Sequence, residues 1–133
     1  MAGQETAENT ALLDAMGVTH VVNCAALDVT GPVPKPHRQV LQLKASDSPT
    51  YDILSHLAEV QAFLHEVSPR RALIHCHAGV NRSVSLALAL AHTRTPFQLV
   101  TLAAIVANHR TALTNPGFRK QLLQWAKARQ TLK

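Results

Sequence analysis

One segment collects residue types suited to nucleophilic substitution: His75-Cys76-His77-Ala78-Gly79-Val80-Asn81-Arg82-Ser83. Apolar runs flank it, so it reads as a loop between a buried strand and a buried helix. A loop of that kind turns successive backbone N–H groups inward and ends on a helix N-terminus, which together make an anion site. His77, Ala78, Gly79, Val80 and Asn81 carry those amides, and Gly79 permits the tight curvature. Arg82 closes the loop, placed to fork two N–H bonds onto a phosphate or carboxylate. The same positive field favours Cys76 as a thiolate. A thiolate beside a bound phosphate is a nucleophile aimed at phosphorus. Ser83 can donate a hydrogen bond to that sulfur when it later leaves. A lone buried cysteine is ordinarily an inert small hydrophobe, but the offsets of Gly79, Arg82 and Ser83 set Cys76 apart. His75, at the strand's end, reads as structural, holding the loop through a backbone bond.

Phosphoryl transfer from a poor leaving group also needs a proton donor. Three aspartates compete for that task. Asp52 reads as the first turn of a helix, favoured there by the macrodipole. Asp28 begins a proline-rich loop and reads as a turn residue. Asp47 lies in ASDSPT at 45–50, a mobile-looking loop with turn chemistry throughout and Pro49 within it. Cys24 is a core residue on a strand by default; the alternative is a resolving thiol for a bond to Cys76. His20, His37, His56, His65, His92 and His109 show no metal-ligand spacing, so no metal site is expected.

These groups must be held by elements, and the periodicity predicts them. Residues 7–16 place Ala11, Leu12, Ala15 and Met16 on one helical stripe, with Gly17 as C-cap. Residues 18–25 (VTHVVNCA) are apolar and β-branched, a buried strand. Residues 30–37 hold three prolines and a glycine, a loop. A second strand covers 39–43. Ile53, Leu57, Val60, Leu64 and Val67 predict an amphipathic helix over 52–67, ended by Ser68-Pro69. A third strand covers 71–76. Residues 83–93 are apolar on all sides, a buried helix. Pro96 opens a helix with Leu99, Leu102, Ala103 and Val106 inward. Asn115-Pro116 starts the last, with Phe118, Leu122, Trp125 and Ala126 inward. Strands alternating with helices imply an α/β fold: a central, mostly parallel sheet with helices on both faces.

The chain has 133 residues, the size of one domain, expected over 1–133. Its 47% hydrophobic content excludes a disordered chain. No apolar run approaches the roughly 18 residues of a membrane helix. Two cysteines cannot build a disulfide scaffold, and no signal peptide is visible. A cytoplasmic location, with the nucleus also open, is the expectation. Charge is divided unevenly. All eight acidic residues lie at or before Glu66, whereas residues 67–133 hold ten lysines and arginines and no carboxylate side chain. Such a split points to an anionic partner, although a solvated basic face on the last helix (Arg119, Lys120, Lys127, Arg129, Lys133) explains half of the excess.

The 75–83 segment resembles the protein tyrosine phosphatase signature, His-Cys, five residues, Arg-Ser/Thr. Its surroundings resemble the small dual-specificity phosphatases over nearly the whole chain. Residues 11–24 (ALLDAMGVTHVVNC) resemble the family's first helix and its Gly-Ile-Thr-His-Val-Leu-Asn strand, and 115–125 (NPGFRKQLLQW) its Asn-Pro helix. The resemblance implies a tyrosine phosphatase-like fold and a metal-free, cofactor-free hydrolase. It implies hydrolysis of phosphotyrosine, and also of phosphoserine and phosphothreonine, in protein substrates through a cysteinyl-phosphate. Cys76 would be nucleophile, Arg82 the phosphate fork, Ser83 the leaving-group donor to sulfur. Asp47, 29 residues before the cysteine, stands where the family keeps its general acid. Asn81 departs from the more common serine. Asparagine there resembles the RNA 5′-triphosphatase loop, His-Cys-Thr-His-Gly-x-Asn-Arg-Thr, a branch that does not rely on an aspartic acid. That branch, a phosphoinositide phosphatase and a silent phosphate-binding module are the alternatives. A phosphoinositide enzyme would carry lysines where His77 and Val80 stand. Nucleic acid is not the expected substrate, and the oligomeric state is left open.

Overall fold

The computed structural model describes residues 3, 6–7, 9–28, 35–95, 98–109 and 111–131. Three parallel strands form its sheet: β1 (His20–Asn23), β2 (Gln39–Gln42) and β3 (Ala72–His75), ordered β2-β1-β3. Val21 pairs with Val40 and Leu73, and Val22 with Leu41 and Ile74. Side chains alternate between faces along a strand, so these two rows supply two separate cores. Val21 and Leu73 join Ala7, Leu13 and Val18 on one face, with Val40 packed against them. Val22 and Ile74 join the larger core of the other face, which holds Leu57, Val60, Val84, Leu86, Phe118 and Leu122. A sheet covered on both faces explains the near-continuous apolar strands.

Five α-helices accompany the sheet among the described elements: α1 (Thr10–Ala15), α2 (Leu57–Phe63), α3 (Arg82–Arg94), α4 (Leu99–His109) and α5 (Pro116–Thr131). The expected α/β architecture is therefore present, with three adjustments. First, α1 is shorter than 7–16 and buries Leu13 rather than the Ala11, Leu12, Ala15, Met16 stripe, all of which are exposed. Asn9 starts it late: its Oδ1 accepts the Leu12 N–H at 3.1 Å. A two-turn helix then has room for one buried side chain, and Leu13 takes that place over Val21 and Leu73. Gly17 ends it in the left-handed region, φ 73°, as its type allows.

Second, the 52–67 helix is divided. A 3₁₀ turn over Ile53–His56 precedes α2. The Ile53 N–H donates to Gln121 Oε1 of α5 at 3.0 Å, and Gln121 Nε2 donates to Tyr51 O at 2.6 Å. Asp52 makes no capping hydrogen bond with its side chain. The chain leaves α2 before Ser68-Pro69, through Glu66 at φ 62°. Third, the strands are trimmed to four residues each, and Ala25 pairs with Lys44 in an isolated antiparallel bridge beyond the ladder. Pro96 and residues 30–34 of the proline-rich loop lie outside the described residues. No helix among the described residues is long and apolar enough to cross a membrane.

Candidate active site

β3 delivers Cys76 to the sheet's end, and α3 begins six residues later. Between them the chain bends continuously, with Gly79 at φ 72°. The Cys76 sulfur is buried and lies 3.2 Å from the Gly79 nitrogen, which donates to it, and 3.2 Å from Ser83 Oγ. So Ser83, the second residue of α3, touches the sulfur from the helix side, as its offset predicted. His77 and Ala78 are exposed on the loop's outer turn, while Asn81 and Arg82 are buried. His75 is fully buried, with Nδ1 3.4 Å from the Cys76 carbonyl oxygen, in keeping with a structural role.

Arg82 is held along one edge. Its NH1 donates to Asp28 Oδ2 at 2.6 Å and to the Ala45 carbonyl at 3.1 Å. Its Nε is buried and has no hydrogen-bond partner among the described residues. One face of the fork is thus anchored, and a buried donor remains for an anion. Asp28 is therefore more than the turn residue its loop composition predicts. The signal is absent from local sequence, because the partners stand 54 residues apart.

Asp47, two residues beyond the Ala45 carbonyl that Arg82 reaches, is exposed on a second rim of the site. The segment that carries it does not have the loose build its composition suggests. Asn115 Nδ2 donates to Asp47 Oδ1 and to the Asp47 carbonyl, each at 3.0 Å. Asn81 Nδ2 donates to Asp47 Oδ2 at 3.2 Å. Gly117 lies so close to Pro49 that a Cβ there would overlap the Pro49 carbonyl. The fold brings Cys76, Arg82 and Ser83 together on one loop and ties Asp47 to that loop's residue 81. It leaves Asp52 at the start of a 3₁₀ turn.

Cys24 follows Asn23, which pairs with His75, and its N–H donates to the His75 carbonyl at 2.7 Å. It therefore follows the last paired position of β1 as Cys76 follows that of β3. Both cysteines are free and buried. Burial pushes the Cys24 thiol up, and charge on Cys76 adds to the shift. Cys24 is a neutral neighbour of the nucleophile position.

A family model described as "Dual specificity phosphatase, catalytic domain" matches residues 1–128. The chain is 32% identical over 130 residues to dual specificity protein phosphatase 26 of Rattus norvegicus, covering 92% of this chain and 61% of that protein. It thus spans about three fifths of the length of the curated relatives it matches. Among solved structures, DUSP15 superposes with a TM-score of 0.82 at 27% identity, covering 97% of this chain and 83% of the other. Human DUSP28 superposes at 0.82 and 25% identity, covering 100% and 94%.

Proposed function

Because the chain belongs to the dual-specificity phosphatase catalytic-domain family, we propose that it hydrolyses phosphomonoesters on phosphoproteins, phosphotyrosine foremost, with phosphoserine and phosphothreonine as further substrates. The observation that carries this reading is the setting of Cys76. Its sulfur receives the Gly79 N–H and lies against the Ser83 hydroxyl, on a loop that ends in an arginine with a buried, unengaged Nε. Each part has a step to perform.

Cys76 attacks phosphorus in line with the ester oxygen. The S–P bond forms as the P–O bond breaks, and the electron pair departs on the phenoxide or alkoxide. Asp47 gives that oxygen its proton. Arg82 and the loop amides hold the equatorial oxygens, over which charge spreads in the loose transition state. Water then attacks the cysteinyl-phosphate, Asp47 takes a proton from it, and the sulfur leaves as thiolate beside the Ser83 hydroxyl. This sequence uses no resident metal or cofactor. Under this proposal the activity is cytoplasmic, which fractionation of cells expressing the chain tests.

The deciding assay sets phosphotyrosine and phosphothreonine peptides beside an inositide and an RNA 5′-triphosphate, with Cys76→Ser as blank. We expect turnover of phosphotyrosine, lost in Cys76→Ser while phosphate binding persists, and loss of both in Arg82→Ala. Near-wild-type hydrolysis by Cys76→Ser overturns the mechanism. Turnover confined to RNA or inositide overturns the substrate.

A further inference from the structure

Asn81 is a buried polar residue in the last position before α3, and its carboxamide is engaged at both ends. Nδ2 donates to Asp47 Oδ2 and to Thr114 Oγ1, each at 3.2 Å. Oδ1 accepts the Asn115 N–H at 2.9 Å. Its own backbone is fixed to α3, because the Ser85 N–H and hydroxyl both donate to Asn81 O, at 2.9 and 2.7 Å. Next to it, Val80 O accepts the Leu113 N–H at 2.9 Å. One side chain therefore spans three segments: the phosphate loop, the Asp47 segment and residues 114–115. A serine at this position has one polar atom on a shorter stem. It cannot donate to the Asp47 carboxyl and accept from Asn115 across the same gap.

We infer that Asn81 is a positioning residue for Asp47, tying the carboxyl that protonates the leaving oxygen to the loop that holds phosphorus. The inference rests on Asp47 being the acid of the proposed reaction. A proton donor works only within hydrogen-bond reach of the oxygen it serves, and a misplacement of about 1 Å can cost on the order of 100-fold. Asn115 also holds Asp47 Oδ1, so the loss expected on replacing Asn81 is a part of that. The asparagine thereby has a task that requires no RNA substrate.

The test compares an aryl phosphate whose phenol is strongly acidic with phosphotyrosine, whose leaving group needs the proton. The readout is the ratio of the two kcat values. In Asn81→Ser this ratio rises about tenfold, a part of the roughly 10²–10⁴-fold attributable to acid catalysis, and KM shifts alike for both substrates. Asn81→Leu keeps much of the volume, removes the donor and adds no charge to the anion site; it moves the ratio the same way and serves if Asn81→Ser does not fold. Asp47→Asn raises the ratio further, and adding Asn81→Ser to it changes the ratio no more. Equal losses on both substrates in the Asn81 variants, with Asp47→Asn still raising the ratio, overturn the positioning role alone. An unchanged ratio in Asp47→Asn overturns the acid assignment and the inference together.

Discussion

The two rims of the site are built on different principles. The Asp47 rim is held by neutral amides from buried residues: Asn115 and Asn81 grip the carboxyl, and Gly117 admits the Pro49 backbone. The Asp28 rim is held to Arg82 by one ion pair, whose carboxylate is 49% exposed. Hydrogen bonds from buried neutral amides are directional and bring no second charge for salt to screen, while a half-exposed ion pair is screened and weak. The difference suits the two tasks. A proton donor must keep its place to a fraction of an ångström. A phosphate fork must give up some of its partners' charge to an incoming dianion.

The comparison is broken most directly by exchanging the aspartates' roles. Asp47→Asn should slow phosphotyrosine hydrolysis by roughly 10²–10⁴-fold and an acidic aryl phosphate far less. Asp28→Asn should treat the two leaving groups equally. Steady-state kinetics on both substrates checks this, and a leaving-group dependence in Asp28→Asn alone would assign the acid to the wrong rim. Gly117→Ala comes next. Its Cβ must displace the Pro49 carbonyl, so phosphotyrosine turnover should fall by about 100-fold, the order attached to a 1 Å misplacement, and the melting temperature should drop. An unaffected variant would show that the close approach does not hold the rim.

Asp28→Asn itself should have a modest effect. An exposed pair is worth about 1 kcal/mol or less, so KM should rise by no more than about fivefold, at low salt most of all. A salt-independent rise would mean that hydrogen-bond geometry, not charge, anchors Arg82. The smallest effect is remote from the site. Asp14 pairs with Arg38, a fully buried arginine at the start of β2, and with His37. The hydrogen bond with His37, then the charges of Arg38 and Lys35, hold the Asp14 carboxyl below its ordinary value. A lowered folded value means that the unfolded chain binds the proton more readily. The pair's contribution is complete above the ordinary carboxylate range near pH 4 and is lost as pH falls through the lowered value. Asp14→Asn should therefore melt lower than the parent at neutral pH and converge with it in acid, with kinetics unchanged. A gap that persists in acid would make packing the cause.

How far the sequence foretold this arrangement depends on how far apart its partners lie. Cys76, Gly79, Arg82 and Ser83 fall within eight positions, and the loop they form follows from their spacing alone. The strands and the inward faces of α2, α4 and α5 were legible for the same reason, since periodicity is local. The Asp47 rim depends on bonds to Asn115 across 68 positions, and no pattern in ASDSPT signals that grip. Asp28 was hidden similarly, because only the tertiary fold sets it against Arg82. In α1 the periodic stripe misled, because a helix of six residues is too short for its pattern to outweigh the cap at Asn9 and the single socket filled by Leu13.

Asn115 uses its two ends on different structures. Its Nδ2 holds Asp47, while its Oδ1 accepts the N–H groups of Gly117 and Phe118 at 3.0 and 3.2 Å, in the first turn of α5. The amide cannot release one without straining the other. The Asp47 segment and the start of α5 therefore belong to one cooperative unit of local unfolding. In hydrogen–deuterium exchange, the Gly117 and Phe118 amides should open with the segment at 45–50 and not with the rest of the helix. Asp47→Ala should then deprotect them, some seventy positions along the chain, without a measurable change in the exchange of β1 and β3.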